Sequence, residues 1–367
     1  DDMVDGASVA RIREIVGARG GAEAALLTAF GLMCAATADF KLIIRDAIEV
    51  LRRALPADTI GFFWSDPNGV MLDAYCDKPA FLSLETFLSH QIFIEEDSRN
   101  WPTFNDNVRL GPVAGHLLSY QTEAFYRSAT FAVSYDTINA RHILDAVAHD
   151  GERQLGAYLF MRSAEQGPFS TADIELARII GVLTTLAFQQ RAPALMDSTR
   201  LSDAGLIVIG ADDKIAFYNI EANQSLWLLE RGGNIPVVGG PDVSFEALAA
   251  LYCPEHVAAA RRGGRAQRNV SCRWGDFEIC SEARSGATTI RFLQYRPFAY
   301  HIATKLLEWD LPARRLTVCW LATMGLSRKE IAAIAGISLD TVGEHLDAVF
   351  KRLGVNSTVE LLLLVAA

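Results

Sequence analysis

The sequence predicts a multidomain α+β chain that ends in an all-helical bundle. Three observations carry this. Over the first 300 residues, β-rich runs bounded by turn signals alternate with stretches of helical period, as in Thr59–Trp64 before Asp66-Pro67-Asn68-Gly69. A polar run after Pro193 divides this part into two such units. From Leu311 onward the pattern is helical throughout, with hydroxyl residues where helices start and glycines where they stop. At 367 residues the chain has room for two or three domains with full-sized cores.

Half of the residues are hydrophobic and 21% are charged, a globular composition. No apolar run reaches membrane-spanning length, and Asp1-Asp2 is not the start of a signal peptide, so a cytoplasmic chain without a membrane partner is expected. The six cysteines (Cys34, Cys76, Cys253, Cys272, Cys280 and Cys319) have neither the spacing nor the nearby histidines of a zinc site or a disulfide framework. The net charge of −10 is uneven. From Ala303 onward seven basic residues balance seven acidic ones, so residues 1–302 carry all of it. That balance suits a specific regulator better than a protein that coats nucleic acid.

Residues 1–24 read as a helical segment, and the helical pattern from Arg11 to Ala54 breaks only at Gly20-Gly21. Its later half has Arg45, Glu49, Arg52 and Arg53 opposite Leu42, Ile43, Ile48 and Leu51, a face that packs on its own sheet or on a second subunit. A strand over Thr59–Trp64 turns into Val70-Met71-Leu72. An aromatic-rich middle from Phe81 to Tyr126 has little periodicity. Gln154–Met161 is a further strand, and Ser170 with Asp173 caps a helix running to about Gln190. Helix, hairpin, irregular middle, strand and final helix together resemble a GAF domain, an α/β/α sensor, over 25–190. The resemblance implies a sensory pocket for a small apolar or aromatic effector, and Trp64, Trp101, Tyr120, Phe125 and Tyr126 are the aromatics expected around it. The competing reading for the same aromatics is an ordinary core.

Residues 191–203 read as a linker. The next unit, 204–298, opens with the strand Gly205–Ile209, turns at Asp212-Asp213, and returns through Ile215–Asn219 into a helix over Glu221–Leu229. Strands near Val270–Cys280 and Thr289–Tyr295 complete its sheet, with loops at Gly232-Gly233, Gly239-Gly240-Pro241 and Gly263-Gly264. Strand, acidic turn, strand, Asn and helix resemble the start of a PAS domain, an α+β module. It lacks the cysteine-containing motif of flavin-binding light sensors, which makes it a scaffold and dimer contact. Residues 299–310 form a linker helix.

In 311–367, Ser327-Arg328-Lys329-Glu330 is a capping box. Gly336 ends that helix and Ser338 starts another. In the second, Val342, Leu346, Val349, Phe350 and Leu353 form one apolar face, and Gly354 is the stop. Two capped helices on a tight turn make a helix-turn-helix, whose second helix enters a DNA major groove. The stretches Gly325–Ala332, Gly336-Ile337-Ser338, Thr341-Val342, His345-Leu346 and Lys351–Val355 resemble the LuxR-type (GerE-like) DNA-binding domain. Two departures stand out. The usual opening of the first helix reads Leu311-Pro312-Ala313-Arg314-Arg315 here, and the base-reading positions fall on Gly343, Glu344 and Asp347, none of them basic. The resemblance also implies backbone contacts from Lys329, Thr341, His345 and Lys351.

No nucleophile elbow, Walker loop, metalloprotease motif or dinucleotide loop is present, so no catalysis, metal or cofactor is expected. The scattered His90, His116, His142 and His149 read as surface or core imidazoles, and Arg261, Arg262, Arg265 and Arg268 as a solvated face. Ser357 and Glu360 form a further capping box before Leu361–Ala367, a helix apolar on every side. With the family's use of that helix, it implies a homodimer. The expectation is a ligand-responsive transcriptional regulator that binds double-stranded promoter DNA. The alternative is a sensory signalling protein acting through protein partners with weak or no DNA binding.

Overall fold

The computed structural model describes residues 6–77 apart from 18 and 38, 101–188 apart from 103 and 112, 198–200, 205–230, and 245–366 apart from 273. His90, the first part of the aromatic middle, the loops at 232–233 and 239–241, and most of the expected linker lie outside the described residues.

The N-terminal helices are α1 (Gly6–Val16), α2 (Gly21–Ala36) and α3 (Ile44–Ala54). The expected second helix is divided, because α2 ends at Ala36 and Thr37 after it is extended. The Asp39 side chain accepts from the Lys41 amide and starts a short 3-10 turn there. Apart from Glu23 and Thr28, α2 carries only apolar and small residues, and such a helix must be covered on all sides. Every residue from Ala24 to Ala35 is buried. The helix packs against α1, α3 and the helices of the C-terminal bundle.

The first sheet is antiparallel, in the order β2-β1-β4-β3, with β1 Thr59–Ser65, β2 Met71–Cys76, β3 His142–His149 and β4 Gln154–Arg162. Strand alternation gives it two unlike faces. Phe62 and Trp64 on β1 and Tyr158 on β4 pack with Phe40, and Tyr158 also bonds Thr184 across 2.8 Å. The opposite face, with Phe63, Ala157 and Leu159, looks at short helices: α4 (Phe104–Val108), α5 (Glu123–Tyr126) and α6 (Ala129–Ser134). The helix α7 (Thr171–Thr184) follows, started by the reciprocal Ser170–Asp173 box.

The second sheet is also antiparallel, in the order β7 (Ile215–Tyr218), β6 (Gly205–Ile209), β10 (Ala287–Pro297), β9 (Gly275–Arg284) and β8 (Arg265–Cys272). The strand β5 (Ser198–Arg200), inside the stretch expected as linker, pairs with β10. The expected hairpin is β6 (Gly205–Ile209) and β7 (Ile215–Tyr218), leading into helix α8 (Ile220–Glu230). The 19-residue helix α9 (Phe245–Gly263) comes next, with Pro254 inside it. The single strand expected near Val270–Cys280 is a hairpin, β8 (Arg265–Cys272) with β9 (Gly275–Arg284), and β10 is Ala287–Pro297. The arginine run divides between α9 and β8, where Arg261 pairs with Asp213 and Arg268 with Glu255 at the surface. The two sheets meet at Trp274, whose ring lies 5.5 Å from Trp64 at 80°, with Lys41 Nζ 4.8 Å above Trp64.

The chain ends in five helices: α10 (Phe298–Glu308), α11 (Ala313–Thr323), α12 (Arg328–Ala335), α13 (Leu339–Leu353) and α14 (Thr358–Ala366). The structure is therefore mixed α+β, with its sheets in the N-terminal part and a helical C-terminal bundle.

Candidate nucleic-acid interface and ligand cavity

Local chemistry fixes the two-helix unit at its ends. Ser327 accepts from the Glu330 amide, and Glu330 accepts from the Ser327 amide at 2.7 Å. Gly336 then takes φ 62°, a left-handed conformation that favours glycine, and its amide bonds back to Ala332. Ser338 accepts from the Thr341 amide and starts α13, which Gly354 ends at φ 69°. The start of α11 reflects the altered opening, since Pro312 supplies no side-chain cap.

Val342, Leu346, Val349 and Phe350 bury one face of α13 against the bundle. Glu344, Asp347 and Lys351 stand exposed on the other, with Lys329 exposed at the start of α12. Gly343 is half-buried, and the Arg328 guanidinium lies 3.8 Å from where a β-carbon on it would stand. The Thr341 hydroxyl is 2.8 Å from the Ser338 hydroxyl, so it belongs to the cap as well as to the surface. His345 is half-buried. Burial first, then Arg315 and Arg314 on α11, hold its imidazole below the usual histidine range, which favours the neutral form. Arg314, Arg315 and Arg328 therefore join the cationic surroundings of α13, a place that sequence reasoning did not assign to any of them. Their signal was present as the pair Arg314-Arg315 and as Arg328 beside Lys329, but which helix sides adjoin is set by tertiary packing.

The last helix keeps Leu361 and Val365 buried and leaves Val359, Leu363 and Leu364 exposed. Its box is displaced by one residue, because Glu360 accepts from the Asn356 amide while its own amide bonds Ser357.

A cavity of about 160 Å³ lies between the first sheet and α4–α6. Trp101, Tyr120 and Phe125 line it, and the Trp101 and Phe125 rings meet edge to face at 5.3 Å. Two of the five expected aromatics stand elsewhere. Trp64 follows Phe63 on β1, so alternation turns it to the opposite face, into the Phe40–Phe62–Trp274 cluster. Tyr126 follows Phe125 on a helix and is rotated away from the cavity. Its hydroxyl donates to the Arg141 carbonyl at 2.9 Å, and the Arg141 guanidinium lies over its ring. Sequence reasoning missed Asn107 and Asp145. Asp145 is fully buried on β3, accepts from the Leu117 amide and from Asn107 Nδ2, and has its carboxyl pushed above the usual range by burial.

Among the described residues no helix is long and apolar enough to cross a membrane. Residues 310–365 match the family of bacterial regulatory proteins described as the luxR family. No curated protein matches the chain. The match coincides with α11–α14, the capped unit just described, and supports a DNA-binding transcriptional regulator.

Proposed function

We propose that this chain is an effector-responsive regulator that binds promoter DNA as a homodimer through α13. The match of residues 310–365 to luxR-family regulatory proteins carries this reading. The outward, unburied face of α13 supports it. Backbone contacts are assigned to Lys329, Thr341, His345 and Lys351, and the groove-facing positions are Gly343, Glu344 and Asp347. The four-stranded sheet with its cavity supports a GAF-like sensor over 25–190, and the second sheet a PAS-like module over 204–298. Trp101, Tyr120 and Phe125 are the aromatics assigned to the effector. The exposed Val359, Leu363 and Leu364 favour a second copy of the chain on α14.

A second reading rests on a specific observation: the outward side of α13 carries Asp340, Glu344 and Asp347, its cations Lys351 and Arg352 stand only in the last turn, and half-buried His345 is biased toward its neutral form. Such a face repels phosphates and fits a protein partner. Selection of bound sequences from a random DNA pool separates the two. The regulator reading expects enrichment of a two-fold symmetric site, and a pool that stays random decides for the protein partner.

A further inference from the structure

The described lining of the cavity between the first sheet and α4–α6 is uncharged as well as apolar. No Asp, Glu, Lys, Arg or His is among its described lining residues. The Cys76 thiol and the Tyr135 hydroxyl, which do line it, are both pushed up by burial and stay protonated. Transfer of an ion into such a space is costly, whereas a neutral ring pays no comparable penalty. Size sets a second limit, because an engineered apolar cavity of about 150 Å³ binds benzene. The space of about 160 Å³ here suits one ring.

Two lining residues go further and specify polarity. Asn107 is 3% exposed and donates its Nδ2 to Asp145 Oδ2 at 2.9 Å. Asp145 is itself held by the Leu117 amide at 2.8 Å. That anchoring leaves Asn107 Oδ1 as the remaining acceptor, buried and without a hydrogen-bond partner. Trp101 Nε1 is a donor, likewise buried and unpartnered. A buried donor or acceptor left unmade is destabilising, and the usual resolution is a partner in protein, water or ligand. Gln121, the other amide in the lining, is already engaged. It accepts from the Ile143 amide at 2.9 Å and donates to the Ile143 carbonyl at 2.6 Å.

We propose that the cavity binds a neutral, single-ring aromatic carrying a hydroxyl group, with Asn107 Oδ1 accepting from the ligand and Trp101 Nε1 donating to it. This rests on the sensor reading above and names the chemistry of its effector.

The test uses the full chain and three probes, phenol, toluene and benzoate, followed by calorimetry and thermal unfolding at neutral pH. Phenol is expected to bind roughly tenfold more tightly than toluene, the effect of one or two net hydrogen bonds. Benzoate is expected not to bind. Trp101→Phe keeps an aromatic wall, with a smaller ring, and deletes the N–H, so it should remove phenol's advantage over toluene. Indole N–H resonances of ¹⁵N-tryptophan protein provide a reading without mutation: one should show the downfield shift of a hydrogen-bonded N–H with phenol and not with toluene. Equal binding of phenol and toluene, no indole shift, or an advantage that survives Trp101→Phe overturns the polar assignment while the sensor reading stands. Absence of saturable binding by all three probes overturns both.

Discussion

The guanidinium of Arg13 on α1 donates to the backbone carbonyl of Ala335 across 3.0 Å and so closes the C-terminus of α12 from 322 residues away. The last carbonyls of a helix have no partner within it and carry the negative end of its dipole, which makes a cation there favourable. The same guanidinium lies 3.1 Å from where a β-carbon on Gly336 would stand. The N-terminal helices thus touch the turn of the helix-turn-helix itself.

Arg13→Ala removes that bond, and the expected cost at this exposed position is about 0.5–1.5 kcal/mol. Hydrogen exchange should show the amides of Gly336 and Ile337, both bonded to the Ala332 carbonyl, exchanging faster than in the wild type. Amides of α2 should be unaffected. Unchanged exchange at the turn would mean that apolar contact between α1 and α12 holds the junction without Arg13.

What the sequence disclosed follows from how local each signal is. The caps at Ser170, Ser327 and Ser338 and the stop at Gly354 act on their immediate neighbours, and each stands where the residues put it. The hairpin before α8 was legible because its acidic turn is local too. β3 was not, because Asp145 interrupts its apolar run, and what makes a buried carboxylate tolerable there is Asn107, 38 residues away. α9 was hidden by Pro254, which reads as a breaker. Trp64 and Trp101 looked alike as aromatics, and only the parity of β1 against Phe63 separates them. The burial of α2 under the C-terminal bundle pairs residues some 290 apart, and no window of sequence contains it.

Trp64 is 3% exposed and belongs to the aromatic cluster that joins the two sheets. Trp64→Ala should cost about 3–5 kcal/mol, as large-to-small changes in packed cores do. A denaturant series would show a lower midpoint, and the phenol response at Trp101 should persist in the folded fraction. A variant of full stability that has lost the phenol response would place Trp64 at the ligand after all.

Ser327→Ala removes the N-cap of α12 and should lower stability by about 1 kcal/mol. The partner residue adds a pH dependence of definite sign. Hydrogen bonds from Ser327 hold the Glu330 carboxyl below the usual glutamate range. Its contribution is therefore present above the unfolded value and is lost as pH falls through the folded one. Acid titration of the Ile331 amide's exchange, wild type against Glu330→Gln, should show extra acid sensitivity in the wild type alone. Parallel curves would mean that the box is not formed in solution.

The last prediction separates the DNA reader from the protein partner. Lys329 and Lys351 are exposed at the two ends of the α12–α13 unit, so each should neutralise about one phosphate and contribute close to one unit of salt slope. His345 differs. Burial and the Arg315 and Arg314 charges lower its affinity for a proton, so at pH 7.5 it is neutral and adds no slope. Glu344 and Asp347 are three apart on the exposed face of α13 and point the same way. A carboxylate that only repels phosphates gives tighter binding to every sequence when it is removed. One that accepts from cytosine N4 gives an operator weaker by about 1–3 kcal/mol and leaves random DNA unchanged or tighter. Salt titrations of wild type, Lys329→Ala, His345→Gln, Glu344→Ala and Asp347→Ala on selected and scrambled DNA read all of this together. Lys329→Ala should weaken both DNAs and reduce the slope, His345→Gln should leave it, and the two carboxylate variants should lose preference for the selected site. Wild type without sequence preference, together with Lys329→Ala indistinguishable from it, would leave α13 with a protein rather than a groove to recognise.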